Sequence, residues 1–169
     1  MDDKTHKERA KLFGYLPQSI NLSPAYVKDF LMMGRFPYTS IFSGYGSFDR
    51  EVVKNVAEEF GLTPYMTRDI TTLSQGELQR VILAKVFIQQ PKVLLLDEPT
   101  TALDMGFKEH IKHAIYKYLE LNKDCIAVIS THDPDIFAER ANKTVMLKDG
   151  NIFNGDIRTL FGLTHVTYQ

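Results

Sequence analysis

The sequence predicts an α/β fold: a parallel sheet covered by helices on both faces, with an inserted helical subdomain. Apolar runs of strand length stand at residues 12–16 (LFGYL), 92–96 (KVLLL) and 124–130 (DCIAVIS). Each is too short to be an ordinary buried helix. Between the last two, Phe107, Ile111, Ala114, Ile115, Tyr118 and Leu119 recur at helical spacing. Strands alternating with helices imply parallel pairing and helical cover. Residues 19–72 break the alternation with helical patterns alone, which makes them an insertion.

The elements follow in order. Residues 1–12 read as a charged helix or a frayed start, and the first strand stops at Pro17 and Gln18. Val27, Phe30 and Leu31 share one helix face, and residues 34–46 (GRFPYTSIFSGYG) read as a loop. Val52, Val53, Val56, Ala57 and Phe60 form a second stripe, closed by Gly61 as a C-cap. A short helix is expected over 64–69, and a buried one over 78–88. The runs at 92–96 and 124–130 read as strands buried on both faces. Asp133 and Pro134 look like the N-cap and first position of a helix over 134–140. A further strand is expected over 144–147, a turn at Asp149-Gly150, a returning strand over 151–153, then a short helix and tail over 156–169.

The 169 residues carry 20 basic against 21 acidic side chains, which gives no reason to expect a nucleic-acid partner. One cysteine, Cys125, excludes an internal disulfide. The apolar runs fall far short of the roughly 20 residues a membrane helix needs. The charged start MDDKTHKERAK has no apolar signal core, so the expectation is a soluble cytoplasmic protein.

The chemistry is expected where strands end. The run VLLL at 93–96 meets Asp97 and Glu98 directly, and burying either charge is costly without a purpose. In an open α/β sheet the crevice beyond the carboxyl ends of the strands takes the ligand. Two carboxylates there suit Mg²⁺ bound through water together with substrate phosphates, and the second can orient or deprotonate a water. The plainer possibility is that Asp97 or Glu98 simply caps loop amides. The run at 124–130 leads into Ser130, Thr131, His132 and Asp133, and a neutral His132 beside the carboxylates could donate to a phosphate oxygen. Gln18, after the first strand, could reach metal or water. Ser74, Gln75 and Gly76 precede a long helix, whose free amides make an anion site. Ser74 with Glu77 also fits a capping box, and both can hold together.

In this order, these segments resemble the nucleotide-binding ATPase subunit of an ABC transporter. The strand ending at Gln18 resembles the glutamine-loop strand, LSQGE (73–77) the signature segment and VLLLDE (93–98) the Walker B strand. TALD (101–104) resembles the D-loop and STHD (130–133) the switch-histidine segment. LMMGRFPY (31–38) further resembles the importer subfamily for iron-siderophore, haem or cobalamin uptake. The resemblance implies a P-loop NTPase-type (RecA-like) parallel sheet. Residues 1–18 would begin that core, 19–73 form the helical subdomain, 74–155 complete the core, and 156–169 form a tail. It implies ATP and Mg²⁺ as cofactors. Asp97 would hold the metal through water, Glu98 would be the general base, Gln18 would contact metal and attacking water, and His132 the γ-phosphate. The signature residues Ser74, Gln75, Gly76 and Glu77 would serve ATP on an opposite subunit, and Asp104 would link the two sites. The implied partners are a transmembrane permease, docked by the helical subdomain near Met32, Met33 and Phe36, and a second ATPase subunit or second copy. Internal packing is the alternative use of those three residues. The implied location is peripheral, on the inner face of the cell membrane.

The sequence departs from the family at two places. Gln75 stands where the family more often has glycine. More consequentially, no glycine here is followed by lysine, so the phosphate-binding pattern G-x-x-x-x-G-K-[ST] is absent. The expectation is the C-terminal portion of an ATPase, its N-terminal part missing, and unable by itself to bind ATP tightly or hydrolyse it. The alternative class is a non-catalytic truncated protein that pairs with an intact subunit and regulates it. Chromosome and repair ATPases of the same superfamily carry long coiled coils, and residues 19–72 show no sustained heptads. Helicases share the Asp-Glu pair but lack an LSQGE segment before it.

Overall fold

The computed structural model describes residues 5–18, 20–39, 44–156 and 160. Helix α1 (His6–Leu12) runs straight into strand β1 (Phe13–Leu16). The helical block holds α2 (Val27–Met32) and α3 (Ser47–Glu59), then α4 (Gln75–Ile88) leads to β2 (Val93–Asp97). Helix α5 (Met105–Leu121) connects β2 to β3 (Ile126–Ser130), and β4 (Thr144–Lys148) and β5 (Asn151–Gly155) close the described chain.

Strands β1, β2 and β3 form one parallel sheet in that spatial order. The register pairs Leu16 with Leu96 and Asp97 with Ser130, so all three carboxyl ends share one edge. Leu16, Leu94 and Leu96 are buried in a single core with Val81, Leu83 and Ile88 of α4 and Ile111 and Ile115 of α5. That core explains the near-continuous apolar run of α4: it is enclosed by the sheet and the helical block at once.

The opposite face corrects the expectation of strands buried on both sides. Register places Phe13, Val93 and Ile126 in one row and Tyr15, Leu95 and Val128 in the next. Phe13 is 49%, Tyr15 57%, Ile126 60% and Val128 55% exposed. The described helices that join the core lie against the other face only.

Local corrections have local causes. The expected loop after Gly34 begins as a 3₁₀ helix, Met33–Tyr38, with Pro37 inside it; residues 40–43 of that loop lie outside the described residues. The short helix expected over 64–69 is replaced by 3₁₀ turns at Thr63–Tyr65 and Ile70–Thr72. There the backbone pairs with the segment before α2 instead: Val27 N–H donates to the Arg68 carbonyl (3.0 Å) and Ile70 N–H to that of Ala25 (2.9 Å). The helix expected over 134–140 is a single 3₁₀ turn, Pro134–Phe137, and the Asp133 side chain makes no cap. It accepts from Lys108 Nζ of α5 at 2.6 Å instead. Strand β4 lies outside the parallel sheet; it pairs antiparallel with β5 across Asp149 and Gly150. Both turn residues have positive φ, 49° and 75°, the twist that a tight hairpin requires. Apart from Asp156 and Leu160, the helix and tail expected over 156–169 fall outside the described residues.

The helical block is fastened to α4 by Gly34 and Arg35. A Cβ at Gly34 would lie 2.8 Å from Ile88 Cγ2 and 2.9 Å from the Lys85 carbonyl oxygen. Because the second obstacle is backbone, Gly34→Ala is expected to destabilise the chain by about 1–3 kcal/mol, read as a lower urea midpoint with unchanged slope. Arg35 is only 2% exposed. Its Nε donates to Asp49 Oδ1 at 2.9 Å, and its Nη1 to the Ile88 carbonyl (3.1 Å) and Gln90 Oε1 (2.8 Å). Its guanidinium also stacks 4.0 Å from the Tyr38 ring centroid.

Candidate functional site

The carboxyl edge of the sheet gathers the side chains picked out at the strand ends. Asp97 closes β2, and the Ser130 hydroxyl at the end of β3 donates to its Oδ1. Glu98 follows with φ of 50°, an uncommon conformation for a residue with a side chain. Its N–H donates to the Ser130 carbonyl at 3.0 Å, so β3 ties down the turn. Glu98 is 12% exposed by side chain, and its Oε1 lies 3.3 Å from Nε2 of His132. The other oxygen, Oε2, accepts from the Thr101 hydroxyl at 3.1 Å. His132 itself is 93% exposed and open to an incoming group. Gln18 is exposed two residues beyond Leu16, on the same edge by register.

Among the hydrogen bonds of the described residues, the Asp97 and Glu98 carboxylates accept from hydroxyls and not from loop amides. A largely buried carboxylate with an exposed imidazole against it can accept a proton from a water.

The signature residues form a separate group at the start of α4. Ser74 and Glu77 make the capping box: Ser74 N–H donates to Glu77 Oε2 (2.7 Å) and Glu77 N–H to Ser74 Oγ (3.3 Å). The Ser74 amide and hydroxyl hold the Glu77 carboxyl below the usual glutamate range. Arg68 Nη1 stands 3.7 Å from the other Glu77 oxygen. Gln75 is exposed. Gly76 faces the loop after Glu98: a Cβ there would come within 3.0 Å of the Ala102 carbonyl. Asp104 caps α5, accepting from Phe107 N–H at 3.0 Å. Ser74 and Glu77 thus make their hydrogen bonds with each other, away from the Asp97–Glu98–His132 cluster.

Gln79 and Lys108 carry no role in the sequence reading of this region, and Thr101 enters it only as the first residue of TALD. Thr101 holds one Glu98 oxygen, Gln79 donates to the Glu98 carbonyl at 3.4 Å, and Lys108 anchors Asp133 next to His132. A glutamine or lysine on a helix reads as solvent-facing, so no pattern in the sequence marks them. Thr101 opens the TALD segment, which the sequence marks by its D-loop resemblance and not by a bond to Glu98.

A protein-family model described as ABC transporter matches residues 1–101, more than half of the chain. The chain belongs to the ABC transporter family. The hemin import ATP-binding protein HmuV of Deinococcus radiodurans is 35% identical over 173 residues, covering 92% of this chain and 64% of its own length. The molybdate import ATP-binding protein MolC of Haemophilus influenzae is 30% identical over 155 residues, covering 91% of this chain and 61% of its own length. This ABC chain therefore spans less than two thirds of either relative. Among solved structures, the dimeric post-hydrolysis state of the ATP-binding cassette MJ0796 bound to ADP and Pi superposes with a TM-score of 0.76 at 26% identity. That match covers 92% of this chain and 69% of the cassette, and it fits the ABC-type α/β P-loop NTPase fold.

Proposed function

We propose that this chain supplies the carboxylate and signature portion of an ATP-hydrolysing subunit of an import system, for a metal chelate, haem or cobalamin. The observation that carries the reading is the convergence of Asp97, Glu98 and His132 at one sheet edge. In this reading residues 1–18 and 74–155 belong to the nucleotide-binding core and 19–73 to the helical subdomain. The haem-import relative supports the solute class, and the molybdate relative keeps it broader than one solute.

Glu98 acts as base toward a water on the phosphate side of the edge, a role worth roughly 10²–10⁴-fold in rate. His132, exposed and in contact with Glu98, donates to a phosphate oxygen of ATP. Gln18 orients the water from the neighbouring strand end. Among the described residues no group of three or more His, Cys, Asp or Glu is arranged to hold a metal by itself. That suits Mg²⁺, which keeps several waters and leans on substrate phosphates. Asp97 would hold it through water, and when bound it would neutralise charge on the phosphates. Ser74, Gln75, Gly76 and Glu77 serve ATP on a second subunit, and Asp104 meets that subunit. Met33 (50% exposed) and Phe36 (57% exposed), with half-buried Met32, offer the helical block's contact to a permease on the inner face of the membrane. No described helix is long and apolar enough to cross the bilayer.

The absence of any Gly-Lys pair favours a second reading, a non-catalytic chain that lends its signature segment to an intact subunit. One experiment separates them. The purified 169-residue chain is expected to show no Mg²⁺-dependent ATP hydrolysis alone. Adding segments that carry a phosphate-binding loop should restore turnover that depends on Glu98 under the first reading. Under the second, turnover appears only with an intact subunit and ignores Glu98→Gln. Turnover by the chain alone would overturn the assignment of the phosphate cradle to other segments.

A further inference from the structure

Helix α4 touches the stretch from Glu98 to Phe107 at successive points along its first two turns. Gly76 abuts the Ala102 carbonyl, close enough that a Cβ would sit 3.0 Å away. One turn on, Gln79 Nε2 donates to the Glu98 carbonyl at 3.4 Å. The guanidinium of Arg80 lies 4.6 Å from the ring centroid of Phe107, in the first turn of α5, and 5.7 Å from that of Tyr65 in the helical block. The segment so held is a strained one. Glu98 and Ala102 have φ of 50° and 63°, a region that side chains disfavour and that persists only where surroundings impose it.

We infer that Gln79 and Arg80 are positioning residues, which lock the 98–107 segment to α4 so that the Glu98 carboxylate and the Asp104 cap move with the signature helix. Gln79 acts on the strained peptide of Glu98. Its amide and the Thr101 N–H share the Glu98 carbonyl, at 3.4 and 3.2 Å, so losing Gln79 leaves that carbonyl to the local turn and removes its bond to α4. Arg80 acts at the other end. Stacked between Phe107 and Tyr65, it fixes the turn whose amide the Asp104 carboxylate caps. A lysine has the charge but not the planar, delocalised group that Arg80 places over both rings. The helical block joins the same assembly, since Arg68 lies 5.6 Å from the Tyr65 ring and 3.7 Å from Glu77. A shift of the block is thereby passed to the Glu98 turn through two side chains. The part of this inference that concerns turnover rests on the ATPase reading; the mechanical part does not.

The test uses Gln79→Ala and Arg80→Lys in the 169-residue chain. Amide hydrogen exchange is expected to rise about tenfold over residues 101–108 while β2 amides keep their protection, as for a local opening. Exchange that rises equally throughout, or nowhere, overturns the positioning role. A second arm measures ATP turnover of the same variants once phosphate-loop segments are supplied. There kcat is expected to fall by up to about 10²-fold with KM unchanged, and a change in KM alone overturns the inference. If the unsubstituted assembly shows no turnover, the ATPase reading fails and the exchange arm still decides the mechanical role.

Discussion

Replacing Glu98 by Gln is expected to lower ATP turnover of the assembled enzyme by about 10³-fold, within the range for losing a general base. Glutamine keeps the side-chain length and can still accept the Thr101 hydroxyl that Glu98 Oε2 now accepts. It cannot take a proton from water. ATP binding is therefore expected to survive the substitution, so single-turnover rates and nucleotide binding should separate cleanly. His132 Nε2, 3.3 Å from the present carboxylate, then faces a neutral amide. A loss below tenfold would mean that the water is activated elsewhere, and the role given to Glu98 would fall.

The largest stability effect is expected at Arg35. Arg35→Ala removes a guanidinium that serves Asp49, the Ile88 carbonyl and Gln90 together. It also leaves the Asp49 carboxylate, 13% exposed, without its partner. Breaking a buried pair on one side costs about 3–5 kcal/mol, a fall in melting temperature on the order of 10 °C for a domain of this size. Arg35→Lys is expected to recover little, because an ammonium lacks the fork for these acceptors and the flat face against Tyr38. Acid should reproduce part of the lesion. Burial alone would push the Asp49 carboxyl up, but the Arg35 hydrogen bond, the Gly46 amide and nearby charge outweigh it and hold Asp49 below its ordinary value of 3.8. Its contribution is thus complete above that value and is lost as pH falls below it toward the folded-state value. Asp49→Asn should flatten this limb of the stability–pH curve. An unchanged limb, or an Arg35→Ala melting midpoint indistinguishable from the parent's, would remove Arg35 from the core of the fold.

Much of this molecule was legible because its patterns are local. The stripe from Phe107 to Leu119 could only be one helix face, and it is α5. Ser74 and Glu77 announced the start of α4 through their own reciprocal bonds. Asp97, Glu98 and His132 could be brought together because parallel strands place their carboxyl ends on one edge. What stayed hidden depends on neighbours distant in sequence. Arg35 reads as a surface cation until Asp49, Ile88 and Gln90 are seen around it. Asp133 reads as a helix cap until Lys108 claims its carboxylate. The strand Ile126–Ser130 has side chains suited to burial on both sides, yet a strand's composition cannot say whether the element that covers a given side lies among these residues.

The bare face that carries Phe13, Tyr15, Ile126 and Val128 has a practical outcome at the bench. Water ordered over such a surface is released more readily on warming and in salts excluded from protein. Handled by itself, the polypeptide should precipitate early in an ammonium sulfate series, cloud as it leaves the cold room, and bind a fluorescent apolar dye. Val128→Lys, which places an ammonium on that face, should reverse all three.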